Sequence, residues 1–591
     1  MTGRIARTAI VLLVFLVYLA VAVLATYPLV KNIDRSVPFD LGDPLFMSWL
    51  VSWNDGWFLS PGGSLAGLFN TNIYYPYENT LAYSDLMLVP SLLVLPVYYI
   101  TRNPIVTVNA LLLLELAGTA LAFFLLARYL TKNTSAALIG GFLYAFSTYH
   151  LAQIGHVQLH ADAFLLLMLL FLHIWLDGRR SRHLVLAFFM LWLQALSSWY
   201  YAIYGAMAAS IFIGYFLLFR GIRLDRRRAA AFALTLVVFA LAVYPFVSPY
   251  LQLNRSMPAF ERNFAETAFY AADLSDYVMT VPQTWLWGRL IGLAKPGVED
   301  ILWPGLAVII LAFIAVKGLA QKVAKREPEG QIKLYYLILS WSAFVLSLGP
   351  YKNFFGRVVP LPFIMPFALV PGFKAMRVPA RFGLLVLLGL SVLATYTLAW
   401  LLSVWRDRRA DTTAGTPAPR LSFRPVDVWG ALVLVLIVIQ QISWPIPLSP
   451  PIPSGNRIPP IYKWLASYRG ADVIIELPPI QGEQVKYVYF SAYHTKRLVN
   501  GYSGYTPPLW TALESKLADF PAAGTVRELR RLGVDGVLVH ADLIPGWTER
   551  PGPADIKGLR LVKQINGDYF FLITGPKRPQ PRGLPQTKRR L

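Results

Sequence analysis

The run AIVLLVFLVYLAVAVLATYPL, residues 9–29, has no charged side chain over the length a helix needs to cross a bilayer. Ten more mainly apolar runs follow, at about 104–127, 135–149, 162–177, 184–198, 202–219, 229–246, 301–316, 334–349, 382–403 and 428–445. Hydrocarbon offers no hydrogen bonds, so segments of this kind must satisfy their own backbone, and a helix does so. An all-α polytopic membrane domain with about 11 transmembrane helices is the expected fold class. Composition agrees, with 56% hydrophobic residues and a mean hydropathy of +0.50. No small-residue cleavage site follows the first run, which reads as an uncleaved signal anchor. The chain has no cysteine, which excludes disulfides and thiolate metal sites.

Loop charge sets the expected orientation. Segments 1–8, 127–134, 177–183, 220–228, 317–333 and 404–427 hold 22 Lys+Arg against 7 Asp+Glu, whereas 30–103, 150–162, 198–202, 247–300 and 350–381 hold 12 against 13. The positive-inside rule places the N-terminus in the cytoplasm and residues 446–591 outside, with the protein in the inner (plasma) membrane. On this reading RGIRLDRRR at 220–228 is an orientation signal, and the net charge of +22 calls for no nucleic-acid partner. LMLVPSLLVLPVYYI, 86–100, is apolar but contains Pro90 and Pro96. It fits a bent helix at the interface within the first outer loop, since another span there would invert every later loop.

A Pro-rich linker, SWPIPLSPPIPSGNRIPP, closes the transmembrane domain (1–445) and opens an extracytoplasmic α/β domain (446–591). ADVIIELPP and VDGVLVH read as strands and TVRELRRLG as a helix. LRLVKQINGDYFFLITG reads as a hairpin turning at Asn566-Gly567.

Candidate chemistry gathers in the loops expected outside. The long first loop, 30–103, contains VPFDLGDPLFMSW, in which Asp40 and Asp43 lie three residues apart. Trp49, Trp53 and Trp57 recur at i, i+4, the pattern of a helix with an aromatic face in the headgroup region. Asp43 then falls at the N-cap and Pro44 at N1. Capping alone accounts for an Asp-Pro pair. The same placement also mounts a carboxylate rigidly enough to act as a general base. Asp40 has no helical role and suits a sugar hydroxyl or a shared cation.

The second loop, STYHLAQIGHVQLHAD, gathers His150, Gln153, His156, Gln158 and His160. Without the Glu of the metalloprotease helix, and with no cysteine, these suit sugar hydroxyls and phosphate oxygens better than zinc. No metal ligand is assigned. Residues 350–381 carry Lys352, Arg357, Lys374, Arg377 and Arg381 and no acid, against the charge rule for that side. GFKAMRVPARF reads either as headgroup anchoring or as a guanidinium clamp on a phosphate. Asp85 marks where the first loop returns towards the membrane. Glu115 lies mid-span, in a place that suits either function or a hydrogen bond to a neighbouring helix. The 247–300 loop, with Arg262, Glu266, Asp273 and Asp276, reads as a solvated loop or a cover, and NGYSGYTPP (500–508) as turns or a carbohydrate contact.

FDLGDPLFMSW after the first span, LARYLTKNTSAALIGGFLYAFSTYHLAQ and MRVPARF together resemble the GT-C superfamily of membrane glycosyltransferases, among them protein O-mannosyltransferases and lipid A aminoarabinose transferases. The resemblance covers roughly residues 1–400. It implies a polyprenyl-phosphate-linked sugar donor, an extracytoplasmic glycan, lipid or protein acceptor, and membrane lipids as partners. The family's catalytic carboxylate carries over best to Asp43, then Asp40. Asp85, His156, Gln158, Lys374, Arg377 and Arg381 are the expected substrate-binding set, facing one outward cavity. Adjacent acids of the family are here separated by Leu41-Gly42, and only Asp162 lies near its second-loop aspartate. The resemblance assigns no cofactor beyond a divalent cation, Mg or Mn, to be tested against the site. Two rival readings are a lipid or glycan transporter (or flippase) and a non-catalytic cell-envelope assembly protein. Polar candidates clustered in loops rather than along spans favour surface chemistry over transport.

Overall fold

The computed structural model describes the chain except residues 1, 179, 220–224, 258–261, 296–298, 355, 371, 414–434, 436–437, 442, 548–557 and 576–591. Helices Thr2–Ala25, Pro104–Thr131, Thr134–Ala145, Ala163–Gly178, Ser181–Ser197, Trp199–Phe219, Arg226–Ser256, Leu306–Val316, Pro328–Ser347 and Gly383–Thr413 occupy ten of the eleven positions read as spans. The eleventh, 428–445, lies largely outside the described residues. Among the described residues, 6 helices are long and apolar enough to cross a membrane. The chain is an integral membrane protein, mostly helical, with a small sheet at its C-terminal end.

Contacts divide the chain into two compact units. The first comprises 1–31, 112–245 and 258–447. Its helices approach closely where side chains are smallest, as expected when packing rather than the hydrophobic effect drives association. A Cβ on Gly141 would lie 2.3 Å from the Tyr18 hydroxyl, and one on Gly389 would lie 2.0 Å from the Ser340 hydroxyl. Tyr18 donates to the Leu138 carbonyl at 2.8 Å, tying the first helix to Thr134–Ala145. The run read as a span at 135–149 breaks at Phe146-Ser147, because Ser147 caps a new short helix, Thr148–Ala152. Exposed Leu12, Leu13, Leu16 and Val17 on the first helix, and Leu234, Val237, Val238 and Leu241 on Arg226–Ser256, form the apolar outer faces expected against hydrocarbon.

The second unit comprises 32–111, 246–257 and 448–591. Strands β3 (Val473–Leu477), β4 (Arg497–Leu498), β5 (Gly536–His540), β6 (Leu559–Ile565) and β7 (Asp568–Ile573) form a sheet ordered β4-β3-β5-β7-β6; β1 and β2 are a hairpin of the first unit (351–354, 357–360). β3 runs parallel to both neighbours and is buried along its whole length, as a central parallel strand requires. The β6–β7 hairpin turns on Asn566-Gly567, both with positive φ (47° and 81°). Segment 72–75 hydrogen-bonds along the edge at β4: Leu498 N–H donates to the Asn72 carbonyl at 2.7 Å, and Tyr74 N–H to the Asn500 carbonyl at 3.0 Å.

Helix Asp43–Leu59 departs from the expected surface helix. It packs against Gln481–His494 and Leu88–Thr101 and is buried on nearly every side. Its indoles are satisfied inside the unit, Trp49 on Asn72 at 3.3 Å, Trp53 on the Leu68 carbonyl and Trp57 on the Ser64 carbonyl, both at 2.9 Å. An aromatic stripe at helical spacing serves a protein core as readily as a headgroup layer, and here the C-terminal domain supplies the core. The apolar 86–100 segment forms the Leu88–Thr101 helix of this unit, with Pro96 inside it and Leu92, Leu93, Tyr99 and Ile100 exposed.

Candidate active site

Asp40 and Asp43 are placed by a tight turn ahead of the buried helix. Asp40 N–H donates to the Pro38 carbonyl at 3.0 Å, and the Asp40 carboxylate accepts from Gly42 N–H at 2.7 Å. Gly42, not Asp43, is the N-cap: its carbonyl accepts from Leu45 and Phe46 N–H, both at 3.1 Å. Asp43 is therefore the first helical residue and Pro44 the second, one position later than the sequence pattern predicts. A Cβ at position 42 would meet the Asp40 carboxylate at 2.9 Å, so a larger residue there would push the Asp40 side chain out of its turn. Among the described residues no side chain caps this helix, and the Asp43 carboxylate is engaged by Tyr502.

It accepts a hydrogen bond from the Tyr502 hydroxyl at 2.8 Å. Burial, and then the charge of Asp43, hold that phenol far above its ordinary range, so Tyr502 stays neutral and donates. The Tyr502 ring packs on Phe46, with centroids 5.6 Å apart. Asp43 is half-buried and Asp40 exposed, so Asp43 keeps solvent access while Tyr502 orients it. The helix N-terminus favours its ionised form. A further carboxyl on this helix, Asp55, is fully buried, and neither of its oxygens has a hydrogen-bond partner among the described residues. Burial pushes it up to about 8, leaving it largely protonated at neutral pH and unsuited to act as the base. Asp85 lies half-buried just past the turn Thr80–Tyr83, in the same unit as Asp40 and Asp43.

The cationic candidates belong to the first unit. Arg381 donates through Nε to Glu299 at 3.0 Å and through Nη2 to its other oxygen, and lies 5.0 Å from the Tyr200 ring centroid. Arg377 has Nε 3.0 Å from Glu266 and lies 4.4 Å from the Tyr270 centroid, while its N–H donates to the Tyr200 hydroxyl at 2.9 Å. His156 Nε2 is 3.9 Å from Glu299, and its Nδ1 is 2.8 Å from the Gln153 side-chain oxygen. His156, Arg377 and Arg381 are thus brought together around Tyr200, Glu266 and Glu299. Exposed Lys374 contributes its carbonyl to Arg262 N–H at 3.0 Å. Buried Gln158 lies in the turn Val157–His160, and its side-chain oxygen has no hydrogen-bond partner among the described residues.

The 247–300 loop, read as solvated or as a cover, supplies counter-ions to the basic 350–381 segment. Asp273 pairs with Lys352 at 2.7 Å, Glu266 with Arg377 and Glu299 with Arg381. Asp162 is fully buried, held by Thr119 and by the Tyr144 hydroxyl at 2.6 Å, with His150 Nε2 at 3.5 Å. These bonds make it a structural tie between helices. Glu115 does not make the hydrogen bond that its position invites: neither oxygen has a partner among the described residues.

A divalent cation does not fit Asp40 and Asp43 well. Each carboxylate already has one oxygen engaged, by Gly42 or by Tyr502, and no third ligand joins them in a metal-holding group among the described residues. Tyr502, Tyr200, Glu266 and Glu299 are the contacts sequence reasoning missed as site residues. Tyr502 lies in NGYSGYTPP, where its side chain is indistinguishable from an ordinary turn residue.

The structure is similar to the mycobacterial arabinofuranosyltransferase AftD, at a TM-score of 0.56 and 15% identity, covering 95% of this chain and 42% of that one. This chain therefore spans under half of AftD. Two other solved structures align at lower scores: the oligosaccharyltransferase AglB from Archaeoglobus fulgidus, in complex with an inhibitory peptide and a dolichol-phosphate (TM-score 0.48, 14% identity, covering 91% and 70%), and ArnT from Cupriavidus metallidurans (0.45, 12%, 97% and 100%). Among curated proteins, none matches the sequence. The fold is of the GT-C type, as the sequence resemblance implies. The family model described as a domain of unknown function, DUF6311, matches residues 8–412, and the chain belongs to that family.

Proposed function

We propose that this protein is a membrane glycosyltransferase that moves a sugar from a polyprenyl-phosphate-linked donor to a hydroxyl of an extracytoplasmic glycan, lipid or protein. The observation that carries the reading is the Asp43 carboxylate, released from capping by Gly42, oriented by Tyr502 and still reachable by solvent. Asp43 takes the proton of the acceptor hydroxyl as its oxygen bonds to the sugar's anomeric carbon. The anomeric carbon–oxygen bond to the phosphate breaks, and the lipid phosphate leaves with the electron pair. Asp40 holds the turn that presents Asp43. The GT-C fold shared with an arabinofuranosyltransferase supports sugar transfer as the reaction class.

Mass spectrometry of lipid-linked sugars and envelope glycans from cells lacking the protein tests this. A lipid-linked sugar accumulates and one glycan loses a residue; unchanged profiles in both pools overturn the proposal. Residue 460, labelled from outside intact cells, reports the C-terminal domain as extracytoplasmic, and labelling only after permeabilisation reverses the orientation.

Arg377 and Arg381 are proposed as ligands of the donor phosphate, supported by the Arg381 guanidinium, whose fork already engages both oxygens of Glu299, and by Arg377 beside it, with Nε 3.0 Å from Glu266. Arg377 is the more accessible of the two, its side chain 41% exposed. Arg377→Lys keeps the charge and loses the fork, so the KM for donor rises by about tenfold with little change in kcat. An unchanged KM assigns the pair to Glu266 anchoring instead.

A further inference from the structure

The loop Asn500–Tyr502 is built more tightly than a surface turn needs. Asn500 is fully buried; its side-chain oxygen accepts from Glu476 N–H at 2.7 Å, while its amide donates to the Glu476 carbonyl at 2.9 Å and to Gln484 at 3.0 Å. Its own carbonyl accepts from Tyr74 N–H at 3.0 Å. Gly501 is pressed against the Tyr74 ring, where a Cβ would sit 2.4 Å from ring carbons. With 500 and 501 pinned to β3 and to the first-loop segment 72–75, Tyr502 is delivered to one place. Its ring rests on Phe46 and its hydroxyl on Asp43.

We infer that Tyr502, from the C-terminal domain, is a positioning residue for Asp43, so that this domain completes the acidic site of the first loop. The inference rests on Asp43 being the general base. The phenol engages Oδ1 of Asp43 and so restricts rotation of the carboxylate that receives the acceptor's proton. A carboxylate free to rotate would meet the hydroxyl in line only part of the time. Tyr502 forms no bond with the transferred sugar in this scheme and acts only through Asp43.

The test is Tyr502→Phe in the full-length protein, alone and combined with Asp43→Asn, assayed with a polyprenyl-phosphate sugar. Removing a hydrogen bond to a charged group lowers kcat by about 10- to 100-fold, with both KM values near wild type. Because Tyr502 acts through Asp43, the double variant is no slower than Asp43→Asn alone. Phenylalanine keeps the ring on Phe46, so the thermal unfolding midpoint stays close to that of the wild type. Wild-type turnover in Tyr502→Phe beside an inactive Asp43→Asn overturns the inference and leaves the glycosyltransferase reading intact. A double variant whose defects multiply also overturns it, since Tyr502 would then touch substrate independently. Unfolding of Tyr502→Phe overturns it by making the phenol a fold contact. Full activity in Asp43→Asn instead overturns the underlying reading.

Discussion

Asp43→Asn yields a folded, membrane-inserted protein whose sugar transfer is slower by about 10²–10⁴, the usual cost of losing a general base. Folding survives because the amide oxygen of asparagine can still accept from the Tyr502 hydroxyl that Asp43 engages at 2.8 Å. The Gly42 carbonyl, which opens the helix, is untouched. What the helix loses is a negative charge in its first turn, about 0.3–1 kcal/mol. Asp40→Asn is the matched control, since its side-chain oxygen can still accept from Gly42 N–H and hold the turn. It lowers transfer only mildly if Asp40 serves the turn alone. Near-normal turnover of Asp43→Asn beside an inactive Asp40→Asn reverses the two roles. Normal turnover of both makes the carboxylates structural and ends the mechanism. Purified protein, an unfolding measurement and a donor-release assay on each variant decide among these outcomes.

The helices of this fold are legible in the sequence because hydrophobic length and loop charge are local properties. The β6–β7 hairpin was legible for the same reason: Asn566-Gly567 supplies the two positive φ values its turn demands. The candidate site was legible only in part, because its decisive contacts are remote in sequence. Tyr502 and Asp43 are 459 positions apart, and Arg381 and Glu299 are 82 apart; no periodicity connects either pair. The acid-free stretch 350–381 looked unbalanced because its counter-ions belong to another loop. The one-residue error at the helix start is physical too. Asp-Pro is a common N-cap–N1 pair, but here the turn bonds at Pro38 and Asp40 put the cap one residue earlier. The Trp49–Trp53–Trp57 stripe is legible as helical while its environment is not, since periodicity gives a face and not what covers it.

The second large effect concerns the charge cluster beneath the Asn500 loop. Glu476 on β3 is fully buried and accepts from the Tyr462 hydroxyl at 2.7 Å. His540 on β5 has Nε2 3.0 Å from Glu476 and Nδ1 2.7 Å from Asp568, while His494 lies 3.7 Å from Glu476 and Tyr487 stacks on the His540 ring. A neutral imidazole carries one N–H and cannot donate to both carboxylates when these are ionised, so the geometry favours the imidazolium. Burial alone lowers the His540 pKa, but the bonds to Asp568 and Glu476 outweigh it and push it up to about 9. Burial also raises Glu476, but hydrogen bonding to His494 and His540 leaves it below its ordinary range. For His540 the folded pKa is above the unfolded value of about 6.5, so its contribution is complete below pH ~6.5 and is lost as pH rises through about 9. That contribution is about 3 kcal/mol. For Glu476 the sign is opposite: its contribution is present above pH ~4.3 and is lost as the pH falls through its depressed value. Limited proteolysis of the second unit should therefore accelerate between pH 7 and 10. Glu476→Gln, which strips one partner from a buried cation, should cost about 3–5 kcal/mol already at pH 7, and His540→Gln should flatten the alkaline loss. Proteolysis unchanged between pH 7 and 10 would show that His540 is neutral and that one of its two carboxylates is protonated. Asn500 bonds to the Glu476 backbone on both sides and its loop delivers Tyr502, so alkaline loosening of β3 reaches Asp43 as well. Sugar transfer should consequently decline above pH ~9 although Asp43 stays ionised there, and the decline should follow the accelerated proteolysis rather than any titration of the base.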